Sequence, residues 1–208
     1  MKDHYAGIRL RAALLAPLLF SACAGSASYL ISPALQAVPD GRIALLPFEN
    51  YSNDVSAPGL MRGEISKRFM LRGYSPLDTA ETDEKLRAMG ITDGGQLPSV
   101  KPEEIGGALG VSLLCYGSLE DFTFQNLGFV VRKSVGLRIR IVSAATGETL
   151  FDAVGKGRNI KVFLNRDEAT AAFVVYSVQK LAENMLKHPL WAESGKAMDQ
   201  AFARLPRR

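Results

Sequence analysis

Val135-Gly136-Leu137-Arg138-Ile139-Arg140-Ile141-Val142 is the stretch that decides the fold. Val135, Leu137, Ile139 and Ile141 alternate with Arg138 and Arg140, and the two-residue period of a strand sends these rows to opposite faces. One row suits a core and the other suits polar surroundings, as in a sheet covered on one side. The strand is expected over 129–142, flanked by strands over 111–120 and 149–154. Ser143-Ala144-Ala145-Thr146-Gly147 has the chemistry of a hairpin turn between the last two. Upstream, Ile43-Ala44-Leu45-Leu46 reads as a buried strand stopped by Pro47, and 74–77 as a short one.

Helical signals fill the gaps. Met61, Ile65 and Phe69 share one face of a helix over 57–71. Asp78 or Thr79 caps a second over 79–89, ended by Gly90. Pro102, with Glu103 and Glu104 behind it, opens a third that ends near Gly110. A longer helix is expected over 167–187, and a weaker pattern runs over 192–205. The order implies one α+β domain over 41–190, a mixed sheet of about five strands with helices packed on it. A helical tail, 191–208, follows it.

The amino terminus sets the compartment. Lys2, Arg9 and Arg11 precede the apolar run from Ala12 to Phe20, and small residues follow it. A basic head, a short apolar stretch and a small-residue cut site form a secretory signal, here residues 1–22. The run is about half the ~20 residues that span a bilayer. Leu19-Phe20-Ser21-Ala22-Cys23 resembles a bacterial lipobox, so Cys23 is expected to be acylated and to begin a tether over 23–40. Ala24, rather than aspartate, after the cysteine favours sorting to the outer membrane. Without residues 1–22 the chain keeps 22 basic and 20 acidic residues, too even a balance for a nucleic-acid binder.

Few chemistries survive the residue counts. With Cys23 acylated, Cys115 has no disulfide partner, and its apolar neighbours Leu113-Leu114 and Tyr116 mark a buried strand thiol. His188 is the one histidine beyond the signal, which removes metal sites of paired histidines, and beside Pro189 it reads as a helix-end residue rather than a catalytic base. Gly155-Lys156-Gly157-Arg158 lacks the spacing of a phosphate loop and reads as a glycine-rich strand exit. Most acidic pairs fit first turns of helices; Glu120-Asp121 does not. No catalytic residue, metal ligand or cofactor site is assigned. Arg138 and Arg140 are the candidate interaction residues, on the strand face opposite the apolar row.

From Ile43 to about Leu190 the chain resembles an uncharacterised family of bacterial envelope lipoproteins. The resemblance rests on Leu46-Pro47-Phe48-Glu49-Asn50-Tyr51-Ser52-Asn53-Asp54-Val55, on Gly73-Tyr74, Met89-Gly90-Ile91 and Tyr116-Gly117, and on Thr146-Gly147-Glu148-Thr149-Leu150-Phe151. Gly110-Val111 stands where the family has Ala-Asp, and Phe151 replaces a tryptophan. The family is similar in fold to the amino-terminal domain of the Tol-system propeller protein and to the soluble part of the curli-secretion lipoprotein. The resemblance thus implies an anticodon-binding-like α/β arrangement and carries no catalytic residues.

These readings converge on an outer-membrane lipoprotein, its domain facing the periplasm, acting as a non-catalytic interaction or assembly module in a secretion or transport assembly. Its expected partners are the membrane through the anchor, other envelope proteins and further copies of itself, and not nucleic acid. The alternatives are a periplasmic small-ligand binder or enzyme, and a pore-forming export component that inserts strands. The anchor is directly testable. Radiolabelled palmitate is expected to enter the wild-type chain and to be absent from Cys23→Ser; equal labelling of both would refute the lipobox.

Overall fold

Three fourteen-residue strands, β5 (Leu113–Asn126), β6 (Val130–Ser143) and β7 (Thr149–Val162), run antiparallel through the middle of the sheet. The computed structural model describes residues 29–186 and 190–208. β2 (Arg42–Leu45) lies parallel between β5 and β4 (Ser75–Pro76), and β3 (Glu49–Asn50) pairs in parallel farther along β5. β1 (Tyr29–Ile31) lies antiparallel on the outer edge of β7. The order is β1-β7-β6-β5-β2-β4, with β3 beside β5. The α+β class is as expected, but seven strands replace five. The additions, β1 and β3, are three and two residues long, too short to show a period.

Helices cover the two faces unequally. On the first face, α2 (Ala57–Met70) buries Met61, Ile65 and Phe69, the three positions its spacing marked. They pack on Leu45, Cys115, Leu137, Ile139 and Ile141. On the second face, α3 (Thr79–Ala88) and α4 (Pro102–Leu109) bury Leu86, Ile105 and Leu109 against Ala44, Leu46 and Leu114. Asp78 is the cap of α3 and accepts from the backbone N–H groups of Ala80 and Glu81. Gly110, at φ 68°, supplies the left-handed turn that ends α4. A 3-10 turn at Gly94–Ser99 links α3 to α4, held by Asp93 and Gln96 in a capping box.

Both described ends of the chain pack onto the body of the fold. Within the stretch expected as a tether, β1 pairs with β7, and α1 (Ala34–Ala37) buries Leu35. The tail over 191–208 is helical as expected: α6 (Trp191–Phe202) places Ala197, Met198 and Phe202 in the main core, and buried Leu205 follows. Phe202 meets Phe69 edge to face at 4.9 Å between ring centroids. Arg208 closes the seam: its guanidinium donates to the carbonyls of Leu35, Val38 and Asp40 at 2.6 to 2.9 Å. α5 (Arg166–Leu186) lies over the far end of the first face, where Phe173 packs on Phe124 at 4.9 Å between ring centroids.

β7 does not exit at its glycines; Gly155 and Gly157 are mid-strand. Both point to the first face, where the α6 backbone lies almost on the strand. A Cβ at Gly155 would meet the Ala197 carbonyl oxygen at 1.8 Å, and one at Gly157 would meet that of Glu193 at 1.8 Å. Backbone cannot yield as a side-chain tip does, so Gly155→Ala is expected to cost about 3 kcal/mol or more. Gly107→Ala in α4 meets nothing within 4 Å and should instead gain roughly 0.5–1 kcal/mol of helix propensity. Urea midpoints of the two variants check the pair.

Candidate functional site

The second face of the sheet is open where α3 and α4 end. Register builds the open surface row by row: Tyr116, Arg140 and Asp152 stand abreast on β5, β6 and β7, and Ser118, Arg138 and Val154 form the next row. Arg138 and Arg140 are exposed here, while Leu137, Ile139 and Ile141 are buried on the other side. The two arginines differ in company. Arg138 holds Asp152 in a two-pronged ion pair, Nε to Oδ1 at 2.8 Å and a terminal nitrogen to Oδ2 at 2.5 Å. Those bonds and the Asp152 charge hold its guanidinium more firmly protonated than usual. Arg140 lies over the Tyr116 ring, 5.1 Å from its centroid, and forms no ion pair among the described residues. Lys156 and Arg158 extend the basic row along β7 and are exposed. A hollow of about 170 Å³ sits between Glu49, Tyr116, Ser118 and the two arginines.

Glu120 and Asp121 share this face because of a bulge. The β5–β6 register shifts between Leu119 and Asp121. The Cβ atoms of Asp121 and Glu120 then lie 3.3 and 3.8 Å from where a Gly136 Cβ would stand. The pair does not act as one. Glu120 is exposed, whereas Asp121 accepts from Ser134 Oγ at 2.5 Å, from Thr123, and from Arg132 at 3.1 Å. Burial alone would raise the Asp121 pKa. The Ser134 and Thr123 hydrogen bonds and the Arg132 charge more than offset it, and the carboxyl sits below its ordinary value. Such a carboxylate anchors a strand and makes a poor general acid.

Other candidates fall as follows. Cys115 is fully buried, and burial pushes its thiol up to about 12, with Arg62 pulling weakly the other way. Cys23 and His188 lie outside the described residues. Among the described residues no group of three or more His, Cys, Asp or Glu is placed to hold a metal ion. A further hollow of about 740 Å³ is an open channel between 34–39, α4 and the 143–145 turn. Its walls are mostly Ala, Gly and Val, with Glu103 as the one ionisable group.

Two features had no clear sequence signal. Arg62 is buried; its Nε donates to the Leu45 carbonyl at 2.8 Å, and a terminal nitrogen holds both oxygens of Asp83 at 2.7 and 2.8 Å. It ties α2, β2 and α3 together, and a polar residue on a helix gives no hint of that. The far ends of β5–β7 carry large exposed apolar residues, Leu127, Phe129, Ile160, Val162 and Leu164.

The family described as "Putative lipoprotein GNA1162-like" matches residues 33–200. The solved structure of lipoprotein GNA1162 from Neisseria meningitidis is similar at 20% identity and TM-score 0.54, over 68% of this chain and 98% of that one. It establishes a shared fold. Looser likenesses are to the PelC dodecamer of Paraburkholderia phytofirmans (15% identity, 65% of this chain, 83% of that chain, TM-score 0.37) and E. coli LpoB (13%, 55%, 56%, 0.41). No curated protein sequence matches the chain.

The Asp121 cluster gives a pH-dependent expectation. A folded-state pKa below the unfolded one adds stability that is complete above the ordinary carboxylate value of about 3.9 and fades as pH falls through the folded value. Asp121→Asn is therefore expected to lower the denaturation midpoint at neutral pH, with the gap to wild type closing on acidification. A gap that stays constant from neutral pH to strong acid would remove the cluster from the account.

Proposed function

The chain belongs to the GNA1162-like lipoprotein family, and from that premise we propose that it is an outer-membrane lipoprotein, acylated on Cys23, whose domain works in the periplasm as a non-catalytic assembly module. The observation that carries the assembly reading is the uncovered half of the sheet. A sheet this long is shielded on its first face by three helices, yet on the second it presents a basic row from Arg140 to Arg158. The rest of the surface offers complementary charge. Glu84, Glu103 and Glu104 on α3 and α4 form no ion pair among the described residues and are exposed or half-buried. A basic face on one copy and acidic helices on the next favour a head-to-tail contact between identical chains. A shared membrane surface raises the local concentration of copies, so a weak contact suffices.

Arg138 and Arg140 are the proposed contact residues, with unequal roles. Arg140 keeps its charge available to a carboxylate of the neighbour, while Arg138 is already engaged by Asp152 and orients the patch. The domain boundary follows the same reading: signal 1–22, a short acylated linker, and one working unit that includes α6 and Arg208.

Sedimentation of residues 24–208 is expected to show concentration-dependent association. At roughly 0.5–1 kcal/mol per exposed charged contact, Arg138→Ala/Arg140→Ala should weaken it several-fold, and high salt should do the same. Arg140→Ala alone is expected to account for most of the loss. A wild-type chain that stays monomeric at every concentration would retire self-association.

A further inference from the structure

The far ends of the central strands form a narrow apolar tip. Leu127-Gly128-Phe129 turns β5 into β6, and the Phe163 N–H donates to the Phe129 carbonyl at 2.8 Å, which holds the end of β7 beside that turn. Leu127 is 59% exposed, Phe129 48%, Val162 74% and Leu164 98%. These four large apolar side chains at one end belong to neither core cluster of the described residues. Cations surround them. Arg166 lies 5.9 Å from the Phe129 ring centroid, Lys133 and Arg132 stand near the start of β6, with Arg132 already paired to Asp121, and Arg158 and Lys161 stand near the end of β7. Asp167 and Glu168, in the first turn of α5, are the acids beside them.

The direction of β1 ties this tip to the anchor. Ile31 faces Phe151 and Tyr29 faces Ala153, so the strand, read backward from Ile31 to Tyr29, points along β7 toward the tip. Nine residues of β7 separate Ala153 from Val162, about 30 Å of strand. The six residues from Cys23 to Tyr29 reach at most about 20 Å, which brings an extended Cys23 to within about 10 Å of the tip. The opposite end of the sheet presents Thr146, Glu148 and Glu103, which are polar or acidic.

We infer that the Leu127–Phe129 turn and Leu164 insert into the leaflet that holds the Cys23 lipid, with the surrounding lysines and arginines on anionic headgroups. The inference rests on acylation of Cys23 as proposed above. A convex tip of four side chains suits a deformable bilayer; a second protein needs a flatter patch of about 800 Å². Apolar side chains among basic ones give the two parts of interfacial binding, buried area and attraction to anionic lipid. The tip fixes the tilt of the domain, which a lipid at one point leaves free.

Depth-dependent quenching tests it. The acylated full chain has one tryptophan, Trp191, which serves as the baseline. Leu164→Trp and Thr146→Trp add an indole at the tip and at the opposite end; both positions are exposed, so folding is little disturbed. Each protein is reconstituted in vesicles of phosphatidylethanolamine and phosphatidylglycerol, with or without bromine on the acyl chains. The added emission of Leu164→Trp is expected to be mostly lost in brominated vesicles and that of Thr146→Trp retained. Retained emission at both positions, or equal loss at both, overturns the inference. So does emission of Leu164→Trp that resists both brominated lipid and aqueous acrylamide, which would mean a second copy covers the tip. Palmitate labelling of the same preparations judges Cys23 by itself, so failure of the anchor and failure of the tip are read separately.

Discussion

The approach of α6 to β7 governs the rest of the structure. At Gly155 and Gly157 the helix backbone comes closer than any side chain permits. Glycine in a strand is unfavourable by itself, since it gives up more chain freedom on folding and packs no side chain. Here that cost is offset by what the contact allows. With α6 seated so deeply, Met198 and Phe202 reach the centre of the first face and Phe202 finds Phe69 on α2. The same docking draws Leu205 and Arg208 across to the segment between α1 and β2. A first face closed this tightly leaves the second as the side on which chemistry is displayed.

That display is set by register more than by residue type. Arg138 and Arg140 differ by one pleat, yet one faces across to Val154 with Asp152 in reach and the other stands between Tyr116 and Asp152. The bidentate pair therefore forms on Arg138, and Arg140 is left stacked on an aromatic ring with its hydrogen-bonding fork open. The bulge at Leu119 adds a second electrostatic feature, by turning Asp121 into the donors of Ser134, Thr123 and Arg132. Farther along, the strands outrun the polar pattern and end in apolar side chains.

Much of this was legible where the sequence is periodic and long. The alternation over 135–142 gave the two faces of β6 correctly, Met61, Ile65 and Phe69 gave the buried stripe of α2, and Asp78 and Gly110 are a cap and a stop as read. Cys115 is as buried as its apolar neighbours implied. The family motif over 46–55 led to the right relatives. What failed to show was whatever depends on a partner distant in sequence. Gly155 and Gly157 look like an exit unless a helix some forty residues later is known to lie on them. β1 and β3 are held by neighbours, with no pattern of their own. The helix within 191–208 was hard to place because its buried face includes Glu193 and Ser194, polar residues that only the contact with β7 puts inside. Arg138 and Arg140 were found by alternation, but which of them is bound already depended on Asp152 across the sheet.

The antiparallel lie of β1 on β7 has a mechanical meaning. A tension applied at Tyr29 along the strand axis runs across the rungs that join the two strands, so Tyr29, Leu30 and Ile31 carry the load together. A pull across the strand axis would instead peel the rungs open one at a time. Behind it, the Ser32 N–H bonds to Leu150 at 2.8 Å, and Arg208 grips the carbonyls of Leu35, Val38 and Asp40. The edge strand thus works as a shear joint with a backstop, and force entering at the amino-terminal side is spread over the sheet before it reaches the helices.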